Sequence, residues 1–177
     1  MSVRETVRRG IAEYFGGLLD PSDPAATLYR PGPLLPYSLA TVRAYAGRPR
    51  QPDTDFTVGL EPPRAMGARM TIGLATTTER RVTTGGWKAL VIQVSLGIEV
   101  LGTAPHPEIA QAEVDELLEA IAAMVRADPT LGGCVLQAGE GSRGIVTTCS
   151  EPLFEGSSSR LGITASVAFD ADVYLEA

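Results

Sequence analysis

The sequence predicts a single α+β domain in which a mostly antiparallel sheet is flanked by two main helices. Two stretches carry apolar residues three or four positions apart, which is the period of an amphipathic helix. Other stretches alternate apolar and polar residues, which is the period of a strand with one buried face. Roughly the last seventy residues hold one acidic helix followed only by strands, and the full length of 177 residues suits one domain.

The predicted domain covers residues 1–177 and has three parts. The first, 1–20, is an N-terminal helix. The second, 21–67, is a proline-rich extended segment that makes the N-terminal half rich in loops. The third, 68–177, contains an extended hairpin and most of the sheet, together with an acidic helix at 107–127.

The first helix is predicted to run from about Val3 to Leu19. Its apolar residues fall on one stripe, and Ser2 precedes it as an N-cap with Glu5 three positions later, in the pattern of a capping box. Asp20 and Pro21 end it, because the residue before a proline disfavours the helical conformation.

Nine of the thirteen prolines lie between Pro21 and Met66. This density excludes a long helix and favours extended chain that wraps a core or lies against a neighbour. Within the segment we expect a short turn of helix at Leu39–Tyr45 and a short strand at Asp55–Leu60.

Two long strands are predicted next, at Arg69–Thr78 and Trp87–Gly102, because apolar residues recur at every second position in both. The polar residues between them, which include Arg80 and Arg81, predict a hairpin with a long tip. Trp87 is the only tryptophan. It is either an interface anchor or, as is commoner for a lone aromatic residue, a cap on the core.

The acidic helix is predicted at Glu108–Ala127, with an apolar stripe on one side and carboxylates near its N-terminus, where the helix dipole favours anions. The segments 133–139 and 144–150 are predicted to form a hairpin. In that register Cys134 and Cys149 are cross-strand neighbours, and in a reducing compartment they remain thiols. The last strand is predicted at about Leu161–Leu175.

Three features that resemble chemical sites are better interpreted as structure. Gly139–Gly144 matches the dinucleotide fingerprint GxGxxG, but a strand pattern follows it where the pyrophosphate needs the N-terminus of a helix, so we interpret it as a turn. His106, the only histidine, is expected on the surface at the start of a helix, without the partners of a metal site or a catalytic triad. The carboxylates of the acidic helix fit its solvated face. We therefore expect no catalytic residue, no cofactor and no metal.

The net charge of −6 is unevenly distributed. Residues 1–90 carry 12 basic and 8 acidic side chains, a balance of +4, whereas residues 91–177 carry 3 and 13, a balance of −10. Such a chain either associates with copies of itself through complementary charge or simply keeps both regions solvated. The acidic total argues against non-specific nucleic-acid binding. No apolar run approaches the ~18 residues of a membrane helix, and the N-terminus does not have the pattern of a secretory signal, so we expect cytoplasmic synthesis.

The order of elements resembles that of the tail terminator proteins of long-tailed bacteriophages, which are also called minor tail or tail completion proteins. The resemblance rests on the N-terminal helix, the proline-rich entry, the strand pair, the acidic helix and the terminal strands. Its most detailed part is LLEAIAAMVRADPTLGGCVLQA, where a helix ends at Asp128-Pro129-Thr130-Leu131-Gly132-Gly133 and leads into a strand. The match extends over about residues 107–172 in detail and over most of the chain in outline.

This resemblance implies a non-enzymatic virion protein that assembles into a homohexameric ring. Such a ring caps the tail tube at the head-proximal end of the tail, stops its elongation and binds the head-completion or connector proteins. We expect the subunit interface to involve Arg80, Arg81, Trp87 and Lys88, whose positive charges meet an acidic surface of a neighbour. Two alternatives are a head–tail connector or neck protein, and a small enzyme or ligand-binding protein that uses the acidic helix face and the hydroxyl-rich strands.

Overall fold

The computed structural model describes residues 1–17, 32–45, 56, 60, 66–81, 88–103, 106–141, 143–154 and 160–175. It confirms the predicted α+β fold, with a mostly antiparallel sheet and two main helices. The helices are α1, Val3–Tyr14, and α2, Pro107–Ala127, together with a short 3₁₀ turn at Leu35–Tyr37. The strands are β1, Leu39–Arg43; β2, Met66–Arg81; β3, Lys88–Thr103; β4, Gln137–Ala138; β5, Val146–Cys149; β6, Leu153–Phe154; and β7, Arg160–Leu175.

Three strands of sixteen residues each, β2, β3 and β7, form the centre of the sheet. The predicted β2–β3 hairpin is confirmed, and β7 pairs antiparallel with β3 along its whole length. The short β1 adds to β2 in parallel and forms one edge. At the other edge β4, β5 and β6 follow one another along β7, each antiparallel to it.

Both helices pack on the same face of this sheet, because only one face of each central strand is apolar. Alternate residues of β3 from Ile92 to Val100 are buried, as the period of two predicts. The stripe of α2 that includes Val114, Leu117, Ile121 and Val125 is buried in the same core. Together with the apolar side of α1, this layer makes one continuous hydrophobic core.

The predicted start of α1 is confirmed, but the helix ends earlier than expected. Ser2 is the N-cap, and its Oγ accepts a hydrogen bond of 3.2 Å from the Glu5 N–H. The helix ends at Tyr14 instead of Leu19, because Gly16 takes a φ of +100° and packs closely against Gly32. A Cβ on Gly16 would lie 2.5 Å from the Gly32 Cα. This close approach turns the chain away from the helix axis.

The predicted turn of helix at Leu39–Tyr45 is wrong, because Leu39–Arg43 forms strand β1. All five of its residues are buried, and its backbone pairs with β2 from Leu39 opposite Ala68 to Arg43 opposite Thr71. The local pattern of apolar residues cannot predict this pairing, because the partner strand lies more than twenty residues away along the chain. The strand predicted at Asp55–Leu60 lies outside the described residues, apart from Phe56 and Leu60.

The predicted hairpin of 133–139 with 144–150 is also wrong, and with it the pairing of Cys134 with Cys149. Both segments pair with β7 instead of with each other: Ala138 lies opposite Ala171, and Cys149 lies opposite Ala165. Ala138 and Cys149 are therefore six strand positions apart along β7, about 20 Å, and Cys134 precedes Ala138 by four residues, so the two cysteines are not cross-strand neighbours. The long β7 offers a continuous edge, and a loop with positive φ at Gly139 and Gly144 lets the chain continue along it.

Candidate functional site

The tip of the β2–β3 hairpin carries the charges that the sequence analysis singled out. From Ala75 onward β2 has little covering it, and Arg80 and Arg81 are both exposed. Lys88, opposite Arg81 across the hairpin, forms an ion pair with Glu79. Trp87 lies outside the described residues. Arg81 has no ion-pair partner within the described part of the chain, so its charge is available to a partner molecule.

Arg80 differs from Arg81, because it lines a pocket of about 380 Å³ in its own subunit. Three carboxylates, those of Glu140, Asp170 and Asp172, line the same pocket. Gln137 donates a hydrogen bond to Glu140 there. The pocket therefore holds an excess of negative charge, and part of the charge of Arg80 is balanced within the subunit. Among the four predicted interface residues, Arg81 is left as the strongest candidate for contact with a neighbour.

The face of the sheet opposite α1 and α2, here called the open face, is made of small side chains. One row across β2, β3 and β7 is Gly73, Ser95 and Ala168, and the next is Thr71, Gly97 and Ser166. Their side chains are too short to project, so the middle of this face is flat. Neighbouring hydroxyls bond to one another across it, as in the 2.7 Å contact between Thr148 and Ser166.

One end of the open face carries an ion pair between the buried Arg69 and the partly exposed Glu99. The Arg69 guanidinium donates to the Glu99 carboxylate at 2.5 Å and lies over the Phe56 ring, 5.2 Å from its centroid. Beside it is a largely apolar groove of about 240 Å³ with Leu153 on its wall, and Leu153 is 71% exposed. A partly buried charged pair beside an exposed apolar side chain is a polar and apolar mixture of the kind found at protein interfaces.

A second charged surface lies on the exposed side of α2. It carries five exposed carboxylates, those of Glu108, Glu113, Asp115, Glu116 and Glu119. Tyr37, 41% exposed, lies next to Glu116 and Glu119 at a shallow depression of about 530 Å³. Acidic side chains around an exposed tyrosine form a surface that complements a basic one.

Three pKa shifts occur around the C-terminal end of α2 and have structural causes. Burial raises the pKa of the Cys134 thiol to about 11. Hydrogen bonds from Thr130 and Gly132 lower the pKa of Asp128, which caps the turn after α2. Burial raises the pKa of Tyr14, whose hydroxyl donates to the Met124 carbonyl at 2.8 Å. The hydrogen bond of Tyr14 joins α1 to α2, and those of Asp128 hold the turn after α2.

The sequence analysis located the basic hairpin tip but missed the acidic pocket beside Arg80 and the apolar groove beside Leu153. Asp170 and Asp172 are two positions apart in β7, so their shared face was readable from the alternation of the strand. Glu140 and Arg80 lie in the same pocket as these two carboxylates because of the order of the strands in the sheet, which cannot be read from the sequence. His106 is exposed at the N-cap of α2, as predicted, and its side chain makes no capping hydrogen bond. The GxGxxG segment leads into β5 and not into a helix, also as predicted.

Within the described ranges, no group of three or more His, Cys, Asp or Glu side chains is placed to hold a metal ion. Neither α1 nor α2 has the length and apolar character needed to cross a membrane, and no other helix of the described residues does. The chain matches no protein-family model, and no curated protein matches it at a significant level.

Proposed function

We propose that this chain is a structural subunit that assembles with copies of itself into a ring, of the kind that caps the tail tube of a long-tailed bacteriophage. The observation that carries the proposal is the position of Arg81, an exposed positive charge at the end of β2 with no ion-pair partner among the described residues. A charge placed there can reach a neighbouring molecule.

The partner surface is the acidic side of α2 on the next subunit. Its five exposed carboxylates lie on the opposite part of the chain from the basic tip, in agreement with the charge balance of the two halves. A contact between two different surfaces of identical subunits is heterologous, and it forms a closed ring when the rotation per subunit closes. Opposite charges on the two surfaces also disfavour tip-to-tip and helix-to-helix pairing.

The virion setting comes from the resemblance to tail terminators, which implies six subunits around the end of the tail tube. In that setting one side of the ring binds the tail tube protein and the other binds a head-completion or connector protein. The flat open face and the exposed Leu153 are surfaces of the subunit that remain for these contacts.

Electron microscopy of negatively stained protein, alone and mixed with tail tubes, tests the proposal. We expect rings of about six copies and their presence at one end of the tubes. The variant Arg81→Glu should lose the rings, because it places like charges at the contact, and it should fold normally, since Arg81 is exposed. The matched control is Arg9→Glu, which reverses a half-buried arginine on α1, a part of neither proposed surface, and should keep the rings.

Single particles without rings, both alone and with tail tubes present, would overturn the proposal. Rings that persist in Arg81→Glu would overturn the assigned contact. If Arg9→Glu lost the rings as fully as Arg81→Glu did, the loss would reflect overall charge, and the assignment of the hairpin tip would again be wrong.

A further inference from the structure

The pairing of β2 with β3 shifts by one residue part of the way along the hairpin. Leu74 lies opposite Val94, but Thr77 lies opposite Ile92, so two residues of β2 stand where β3 has one. Two residues opposite one define a β-bulge, which bends the strand and re-aims the side chains that follow it. The bulge therefore separates an inner half of the hairpin, which ends at Leu74, from an outer half, which begins at Thr77.

This bulge decides which face of the sheet each arginine of the hairpin occupies. Directly opposed residues of an antiparallel pair point to the same face. In the outer half, Arg81 lies opposite Lys88, which belongs to the even-numbered set of β3 that faces the helices. Arg80 points the other way, in agreement with its place beside Asp170 and Asp172 in the acidic pocket. Without the bulge the two arginines would exchange faces, because a one-residue slip turns every side chain over.

Arg4 of α1 binds both sides of the bulge. Its guanidinium donates one hydrogen bond to the Leu74 carbonyl, at 2.6 Å, and another to the Thr77 hydroxyl. Leu74 is the last residue of the inner half and Thr77 is the first of the outer half. The bond to Thr77 requires its side chain to face α1, and only the bulged register provides that orientation.

A weaker bond holds the bulge from the open face. The Thr76 hydroxyl bonds to the Gln93 side-chain carbonyl at 3.1 Å, and this contact is exposed. The two bonds from Arg4 are partly buried and come from a charged donor. Hydrogen bonds with an ionised partner are roughly twice as strong as neutral ones. Arg4 is therefore the main side chain that favours the bulged register.

We propose that Arg4 is a positioning residue that fixes the register of the outer hairpin and so places Arg81, and not Arg80, on the helix-covered side of the sheet. This inference rests on the ring contact proposed above, because it explains which of the two arginines that contact uses. Without Arg4, the outer half slips by one residue, Arg80 takes the position opposite Lys88, and Arg81 leaves it.

Disulfide trapping within one subunit measures this register. Thr78 lies opposite Val91, and opposed residues have Cα atoms about 4.5–5.5 Å apart, within the range of a disulfide. In the slipped register Thr78 would lie opposite Leu90, whose side chain otherwise points to the other face. The two reporters are therefore Thr78→Cys with Val91→Cys and Thr78→Cys with Leu90→Cys. Each also carries Cys149→Ser, which removes the exposed native thiol.

With Arg4 present, the Val91 reporter should form its disulfide under mild oxidation and the Leu90 reporter should not. Arg4→Gln should lower disulfide formation in the Val91 reporter several-fold and raise it in the Leu90 reporter. Deletion of Thr76 from the Arg4→Gln variant should restore the Val91 reporter. A ladder without the extra residue brings Thr77 opposite its present partner with no help from α1.

The matched control is Arg8→Gln, which removes another half-buried arginine one turn further along α1. Arg8 lies over the Tyr45 ring, 4.4 Å from its centroid, and its loss should leave both reporters unchanged.

Equal disulfide formation in the Val91 reporter with and without Arg4 would overturn the proposal, and so would failure of the Thr76 deletion to restore it. A loss in Arg8→Gln as large as that in Arg4→Gln would also overturn it, because the effect would belong to α1 in general. The disulfide forms within one subunit, whereas rings are counted by microscopy. A chain that forms no rings still reports its register, so the two proposals fail separately.

Discussion

The two faces of the central sheet are built from the same three strands and have opposite roles. On the face covered by α1 and α2, β3 presents Ile92, Val94, Leu96, Ile98 and Val100, all buried. On the open face, the residues between them are small or polar and half-buried. One face therefore supplies the stability of the subunit. The other face, together with the hairpin tip, is left for contacts. Substitutions on the two faces should therefore change the free energy of unfolding by different amounts.

The largest difference is expected between two adjacent residues of β3. Leu96→Ala removes a fully buried side chain from the helix-covered face and should lower the free energy of unfolding by about 2–5 kcal/mol. Ser95→Ala, its neighbour on the open face, should change the free energy of unfolding by less than about 0.5 kcal/mol. Chemical denaturation of both variants measures the difference. Similar losses in the two would show that the open face is packed in the folded subunit.

A steric contact between α1 and the segment before β4 gives the next largest effect. A Cβ on Gly10 would overlap the Cβ of Cys134. Gly10→Ala should therefore lower the free energy of unfolding by about 1–3 kcal/mol, the usual range for overpacking. Because Cys134→Gly removes the opposing atom, the double variant should recover part of that loss. A double-mutant cycle by thermal denaturation checks this coupling, and strictly additive effects would contradict it.

The N-cap of α1 should contribute less than either core contact. Ser2→Ala removes the Oγ that accepts from the Glu5 N–H and should lower the free energy of unfolding by about 1 kcal/mol. Ser2→Asp, which preserves an acceptor at the same position, should retain most of the stability. Equal losses in the two variants would mean that α1 is not capped through this side chain.

The two native cysteines compare a buried position with an exposed one without any substitution. Burial raises the pKa of Cys134 to about 11, so little of it is thiolate at pH 8, whereas Cys149 is exposed on β5. One thiol per chain should react rapidly with Ellman's reagent in the native state, and the second only after denaturant is added. Cys149→Ser should abolish the rapid phase. A rapid phase of two thiols would place Cys134 on the surface.

The period of the apolar residues was enough to predict α2, the β2–β3 hairpin and β7. These elements are long and amphipathic, so one face of each determines its structure. It failed for β1 and for the segments around Cys134 and Cys149, whose conformation is set by pairing with a distant strand. The candidate site likewise has a part that the sequence predicts and a part that it does not. Arg80 and Arg81 were visible as an exposed hairpin tip, but the pocket that Arg80 shares with Glu140, Asp170 and Asp172 depends on strand order.

The central claim is that the subunit assembles with copies of itself through surfaces that its own fold leaves uncovered. The most direct test is the solution mass of the unmodified chain, measured by light scattering over a range of protein concentrations. The account predicts masses that are multiples of 18.6 kDa and that rise with concentration. A mass of 18.6 kDa at every concentration would contradict it.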